Sequence, residues 1–406
     1  MLNKRKLKIV FIGGYQGDLL IEKRRIVRNR SLAGTNKVAA ICSALVLQGH
    51  EVTIYSEGRV AERTGGWFSA MQEKIRVSEE NEISVCYGAA VDIPILSFLV
   101  SMVYLFLKFP VLFNRNRFDV AFVYNCNLLS LVSAVYCGRI KKIPVILEYE
   151  DSVMASRTRQ APIWKRLFRL NEMIMAWAVK GIYAPSPELA ESLDIDNKLV
   201  VAGALSTDLV DAALTRKEHT GYGGRLKLLY CGNLDMSKGV DLLMDAVELI
   251  SHPIEIDICG KGTLESEIKE RCNKCKHPAH FHGIVSKEKL IGLQTSADIA
   301  VNPHRISWHK GTLWPFKVVE CLAGCGVVVC ARTGKIEDPL ANHLHLYKSD
   351  DPGVLADVIG KVIRSWETER LKATANMEWA IEKWGPKGIG KLMEQLLIKA
   401  GVTLDL

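Results

Sequence analysis

The feature that most constrains this chain is an alternation that runs from end to end. Apolar runs of strand length take turns with longer amphipathic stretches. Residues 7–12 form a short β-type run that ends in Gly13-Gly14. Residues 36–48 carry Val38, Ile41 and Leu45 at helical spacing and close at Gly49, and residues 52–55 are strand-like again. The runs 120–124, 145–147, 182–184 and 199–201 continue the series. Short runs without polar alternation are strands buried on both faces, hence parallel strands covered by helices. Strand, helix and strand in steady alternation is the pattern of a doubly wound α/β sheet.

The pattern then restarts. A strand at 226–231 precedes Gly232, an amphipathic helix follows at 240–249, and the strand 254–259 ends in Gly260-Lys261-Gly262. Residues 298–301, 327–330 and 345–347 complete the second set. With 406 residues the chain exceeds the roughly 250–300 at which one core stops growing, so two domains are expected. The predicted division is a first domain over 1–205, a polar, glycine-bearing linker over 206–224, a second domain over 225–376, and a helical C-terminal segment over 377–406. The fold class is α/β, two doubly wound Rossmann-like domains facing a central cleft. Ligands of such open sheets bind beyond the carboxyl ends of the strands.

Charge and cysteine usage narrow the setting. There are 53 basic and 45 acidic residues, a formal charge of +8, and residues 1–30 hold nine Lys or Arg against two acids. Such a face suits an anionic substrate or an anionic membrane surface, and a merely solvated face is the plain alternative. Cys42, Cys231, Cys259 and Cys330 lie in apolar stretches, as buried reduced thiols do. The apolar run after the basic N-terminus is too short for a secretory leader. A cytoplasmic protein is expected, peripheral on the inner face of the plasma membrane if the basic face is used. Residues 93–107 carry no charge, but this falls short of the about 20 residues a spanning helix needs. They read as a helix buried in the first domain or one lying on a bilayer. Residues 157–170 interleave Arg157, Arg159, Lys165, Arg166 and Arg169 with Trp164, Leu167, Phe168 and Leu170, which fits an anionic interface or an amphipathic surface helix.

Chemistry concentrates in the second half. Thr312 can cap a helix whose first turn holds Pro315, Phe316 and Lys317, and backbone N–H groups at a helix start point at phosphate. Glu320 lies further along, where a carboxylate can accept both hydroxyls of a ribose. Gly324 and Gly326 end that helix. Lys238, in Gly232-Asn233-Leu234-Asp235-Met236-Ser237-Lys238-Gly239, follows a strand end and can neutralise a diphosphate. Gly260 and Gly262 permit close backbone approach. A nucleotide diphosphate is the ligand these elements suit together.

These motifs resemble the retaining family 4 glycosyltransferases, glycosyl transferases group 1, of GT-B architecture. Members carry Gly-Arg-Leu and Lys-Gly after a strand, matched by Gly232-Asn233-Leu234 and Lys238-Gly239. A glycine pair after the next strand is matched by Gly260 and Gly262, with Lys261 between them. A His-Gly strand end is matched by His282-Gly283, and the backbone near Val285 would meet the nucleobase. The ribose-holding acid of the family matches Glu320. In the first domain Gly13-Gly14 match the first β-α-β, and Glu150-Asp151 stand where members often have His-Asp. The resemblance implies a nucleotide-sugar donor, with UDP foremost, held by Gly14, Gly232, Asn233, Lys238, Gly260, Lys261, Gly262, Val285, Thr312, Phe316, Lys317 and Glu320. It implies Lys238, Asp151 and Glu150 as catalytic groups, retention of configuration, no metal and no cofactor. It also implies that the C-terminal helix crosses back to the first domain.

Two departures from the family are visible. Its diphosphate arginine is Asn233 here, with Lys261, Lys310 and Arg305 as nearby cations. Its first motif glutamate is Thr312, as in branches with a Pro-x-Lys-x-x-Glu form. The expected activity is transfer of a hexosyl unit to a glycan or lipid-linked acceptor, in bacterial cell-surface polysaccharide synthesis. A non-catalytic binding subunit of a membrane glycan assembly and a nucleotide-sugar epimerase or hydrolase are the alternatives. Cys272-x-x-Cys275 with His277, His280 and His282 has the look of a zinc site but lacks a second distant ligand pair, so an exposed helix end before an edge strand is the simpler reading. The first strand is not followed by Gly-x-Gly-x-x-Gly, and there is neither a nucleophile elbow nor a Gly-Lys-Ser/Thr phosphate loop, which leaves hydride transfer without support.

Overall fold

A computed structural model describes residues 5–24, 32–58, 66–93, 96, 99–100, 102–104, 106–108, 111, 113, 117–150, 162–216, 224–309, 316–334, 336 and 338–404. The chain divides into two compact units, Met1–Val201 with Pro386–Leu406, and Ala202–Gly385.

The described residues of the first unit hold the strands β1 Lys8–Ile12, β2 Glu51–Ser56, β3 Trp67–Phe68, β4 Met71–Arg76, β5 Glu82–Tyr87, β6 Ala90–Val91, β7 Val120–Tyr124, β8 Val145–Glu148, β9 Gly181–Ala184 and β10 Lys198–Val200. Eight form one sheet in the order β10-β9-β8-β7-β1-β2-β5-β4, while β3 and β6 pair separately. Every neighbour in the large sheet is parallel except β4 beside β5. The central strands β1, β7 and β8 bury nearly every side chain, consistent with helices on both faces. Edge strand β4, with the sequence MQEKIR, buries none fully. It carries no apolar run, so apolar runs alone do not reveal it.

The helix Leu32–Leu47 covers this sheet and packs against the helix Pro386–Lys399. His50 Nε2 meets Glu394 Oε1 at 2.9 Å beside that contact. The helical periodicity read over 377–400 is two helices in the structure, Trp366–Trp384 and Pro386–Lys399. Gly385 and Pro386 separate them, and proline cannot continue a helix begun before it.

The second unit holds β11 Leu226–Cys231, β12 Ile254–Cys259, β13 Ala279–Gly283, β14 Ile299–Asn302, β15 Val328–Ala331 and β16 His345–Tyr347. They form one fully parallel sheet in the order β13-β12-β11-β14-β15-β16. This is the 3-2-1-4-5-6 order of a Rossmann fold, with its topological switch between β11 and β14. Leu228, Ile256, Ile258, Ile299 and Val329 are fully buried in its core. Each such side chain contributes about 1.5–3 kcal/mol when removed from water. Within the stretch read as a linker, Thr207–Leu214 is a helix capped by Ser206 and packed on the helix Lys317–Cys325. Residues 217–223 lie outside the described residues.

Candidate functional site

The carboxyl edge of the second sheet is a stitched set of loops. The Gly232 N–H donates to the Cys259 carbonyl at 3.0 Å, and the Leu234 N–H to that of Lys261 at 2.9 Å. The Leu264 N–H donates to the Leu234 carbonyl at 2.8 Å, and the Arg305 N–H to that of Ser237 at 3.2 Å. The loops after β11, β12 and β14 therefore form one frame around the switch point. Glycine makes the frame possible at two positions above all. Gly260 has φ of +145°, and a Cβ there would lie 1.7 Å from the Gly232 carbonyl oxygen. Gly239 has φ of +68°, and its Cβ would lie 1.9 Å from the Pro303 carbonyl oxygen. No side chain fits either place. Gly232 is under less constraint, since the nearest atom to its Cβ position is the Tyr230 hydroxyl at 3.2 Å.

The predicted donor residues are distributed along this edge. Lys238 ends the 3-10 turn Met236–Lys238 and is partly buried. Asn233 and Lys261 are exposed. Val285 follows Gly283, whose carbonyl accepts the Gly260 N–H at 2.8 Å. Lys317 and Glu320 sit on the helix Lys317–Cys325, one turn apart, with Phe316 just before it. Gly326, at φ of +78°, ends that helix. Thr312 and its neighbours at 310–315 lie outside the described residues, and so does the proposed cap of this helix.

The electrostatics of Lys317 and Glu320 differ in kind. Burial pushes the Glu320 carboxyl above the usual carboxylate range, with Lys317 and the Gln294 side chain partly offsetting it. Burial works against the Lys317 ammonium, but Cys231, Glu320, Cys321 and Cys259 outweigh it and hold the lysine firmly charged. The edge thus offers a fixed cation and a desolvated carboxyl. Arg305, one of the cations near the missing family arginine, is engaged in an ion pair with Asp241. Reading the sequence missed Gln294, Asp241 and the thiols around Lys317. Asp241 had a local signal, an acid in the first turn of the helix Val240–Leu249. Gln294 had none.

In the first unit Gly14 is exposed at the end of β1. Its neighbour Gly13 is sterically required, because a Cβ would stand 2.6 Å from Tyr124 Cβ across the β1–β7 switch point. Glu150 follows β8, and its N–H donates to Asn125 Oδ1 at 2.7 Å. Its carboxylate is bound by Lys37, a 2 % exposed lysine that also lies 3.1 Å from Glu148 Oε1. The Tyr183 hydroxyl donates to Glu148 Oε2 at 2.7 Å, and the Lys37 ammonium stands 5.6 Å from the Tyr183 ring. Lys37 was not singled out in the sequence, although a lysine amid the apolar face of residues 36–48 is such a signal. Asp151 lies outside the described residues.

The histidines near Cys272 and Cys275 have separate partners. His277 meets the Ile250 carbonyl at 3.0 Å, His280 lies 3.5 Å from Glu255, and His282 meets Asp257 at 2.6 Å. No group of three or more His, Cys, Asp or Glu able to hold a metal is found among the described residues. No helix among them is long and apolar enough to cross a membrane.

Residues 225–365 match the family model of Glycosyl transferases group 1. No curated protein matches the chain. Among solved structures, sucrose-phosphate synthase from Thermosynechococcus elongatus superposes with a TM-score of 0.67 at 14% identity, over 97% of this chain and 99% of that one. Anabaena HepE in complex with UDP superposes with a TM-score of 0.62 at 12% identity, over 97% and 100%. The catalytic domain of Arabidopsis thaliana starch synthase IV, bound to ADP and acarbose, gives a TM-score of 0.64 at 9% identity, over 98% and 100%. Two Rossmann-like sheets in one chain and these neighbours give the fold as GT-B, and residues 225–365 are similar to the Glycosyl transferases group 1 model.

Proposed function

We propose that the chain is a retaining family 4 glycosyltransferase that takes a sugar from a nucleotide-diphosphate sugar, UDP-linked in the first instance. The observation that carries this reading is the glycine-framed carboxyl edge of the second sheet, with Lys238, Lys317 and Glu320 on it. Complexes of HepE with UDP and with UDP-glucose support the donor class. Cleavage of the anomeric bond develops negative charge on the departing diphosphate. Lys238 and Lys317 stabilise that charge, and fixed cations in a dry site are worth far more than in water. Glu320 accepts the ribose hydroxyls. Gly232, Gly260 and Gly262 let the backbone approach the donor, while Asn233, Lys261, Phe316 and Thr312 line its surroundings and Val285 meets the base. The family resemblance implies attack from the face the leaving group departs, without a dedicated metal.

The acceptor belongs to the first unit. Glu150 or Asp151 orients the attacking hydroxyl, with the Glu150 carboxylate held in place by the buried Lys37. A lipid-linked glycan at an anionic membrane face fits the exposed surface of this unit. Leu167, Leu170, Met173 and Trp177 project from the helix Pro162–Ala178 beside exposed Arg166 and Arg169. Leu99, Val103, Phe106 and Leu107 add exposed apolar surface. This supports a role in cell-surface polysaccharide synthesis by a cytoplasmic enzyme that binds the membrane peripherally. Arg166→Glu with Arg169→Glu should release the protein from anionic liposomes, and unchanged partitioning would count against the membrane half.

The direct test is thermal-shift screening against UDP, GDP, ADP and CMP, with Glu320→Ala as control. A ligand at 100 times its Kd adds about 2.7 kcal/mol to stability. A shift with one diphosphate, lost in the control, supports both donor and ribose assignments. Asn233 in place of the family arginine favours one other reading, a non-catalytic binding subunit. Binding of UDP with no turnover on any acceptor would select it.

A further inference from the structure

Three thiols meet at the carboxyl edge of the second sheet, and the donor chemistry above uses none of them. Cys231 ends β11 and stands in register with Cys259, the last residue of β12. Its Sγ lies 3.9 Å from Sγ of Cys321, on the helix Lys317–Cys325. Cys231 is partly exposed, whereas Cys259 and Cys321 are 3 % and 8 % exposed. Side-chain hydrogen bonding with Cys259 and Cys321, with Lys317 nearby, draws the Cys231 thiol well below its ordinary range against the cost of desolvation. The other two thiols are pushed well up. A thiolate-like sulfur on a partly exposed residue, 3.9 Å from a second thiol that can resolve it, is the arrangement that oxidises selectively.

We propose that Cys231 and Cys321 form a peroxide-oxidised pair whose disulfide closes the nucleotide site. The Cys231 thiolate attacks one peroxide oxygen, giving a sulfenic acid and, after protonation, one water. Cys321 sulfur then attacks the sulfenic sulfur, expelling the hydroxyl as a second water as its own proton leaves. Two thiols and one hydrogen peroxide become one disulfide and two waters. Bond formation draws the sulfurs from 3.9 Å to about 2.05 Å. Cys231 directly precedes Gly232, and Cys321 directly follows Glu320. The closure therefore acts on two of the positions assigned to the donor. Its consequence for nucleotide binding rests on the donor reading above; the linkage itself does not.

The experiment treats the full chain with stoichiometric hydrogen peroxide, blocks remaining thiols with iodoacetamide, and maps peptides by mass spectrometry. The expected result is a Cys231–Cys321 linked peptide that dithiothreitol removes, with Cys42, Cys137 and Cys330 alkylated only after unfolding. UDP affinity should fall about tenfold or more in the oxidised protein, within the usual range of coupling between sites, and be unchanged by peroxide in Cys321→Ser and Cys231→Ser. Cys321→Ala serves if the serine variant folds poorly. Absence of the linked peptide overturns the pair. A linked protein that binds UDP as the reduced one does overturns the closure. If the reduced protein shows no UDP binding, the donor reading fails, and the peptide map still decides whether the pair exists.

Discussion

The carboxyl edges of the two sheets solve the same topological situation with different materials. In the second unit, glycines bring backbone against backbone, and the loops after β11, β12 and β14 hold one another through main-chain hydrogen bonds. In the first unit, the corresponding edge is held by buried charge, with Lys37 between Glu148 and Glu150 and Tyr183 closing the set. A backbone frame is indifferent to which side chains surround it and suits a ligand part common to many donors. A buried ion cluster is specific to its side chains and suits a part that differs from enzyme to enzyme. The family model matches within the second unit and not the first, in keeping with that division.

The comparison can be broken at its strongest point by Lys37→Met. Removing one partner of a buried cluster leaves carboxylates uncompensated, and a loss of about 3–5 kcal/mol in urea unfolding is expected. A loss under about 1 kcal/mol would mean that water already serves the carboxylates. The backbone frame is tested next by Gly260→Ala. It should cost about 2–4 kcal/mol and abolish the UDP shift, from a Cβ forced onto the Gly232 carbonyl and a φ that alanine avoids. Gly14→Ala, with open space around its Cβ position, should stay within about 0.5 kcal/mol of the parent. Equal effects at both glycines would dissolve the distinction between a glycine that is required and one that is only exposed.

Lys238→Ala should lower kcat by about a hundredfold or more with a smaller change in donor Kd, because its cation acts on charge that develops late. Retained turnover would remove Lys238 from the mechanism. A further small effect, at Glu320, is the most diagnostic. Glu320 carries a carboxyl whose folded pKa is raised by burial, so its contribution to stability is present at low pH and lost as pH rises through that raised value. Glu320→Gln should therefore melt at or slightly above the parent temperature at neutral pH, by less than about 1 kcal/mol, while binding UDP more weakly. A lower melting point would show that the carboxylate is structural rather than held in readiness for a ligand.

Much of this was legible in the sequence for physical reasons that vary along the chain. Strands such as Val120–Tyr124 and Ile254–Cys259 are buried on both faces and announce themselves as apolar runs. The edge hairpin of β4 and β5 does not, since one strand is half solvated and the other alternates. Gly239 and Gly260 were visible because only glycine tolerates their conformations, and residues of that kind leave a local trace. The salt cluster of Lys37, Glu148 and Glu150 was not, because its members lie far apart in sequence and meet only through the sheet. Gln294 and the approach of Cys231 to Cys321 were hidden for the same reason. The eleven cysteines looked alike as buried thiols, and all are free in the structure. Only the fold singles out Cys231 by bringing a lysine and two sulfurs to it.

The contact of Gly239 with the Pro303 carbonyl has a consequence for how such a site can change over time. A loop tied to its neighbours through the main chain cannot be re-aimed by one substitution without disturbing two others. On the donor reading proposed above, variation in the preferred base or sugar is then confined to side chains on the frame, Asn233, Lys261 and Val285 among them. The frame behaves as a fixed mount with interchangeable tips. Its rigidity also means that a ligand meets loops already in place, and little ordering entropy is lost on contact.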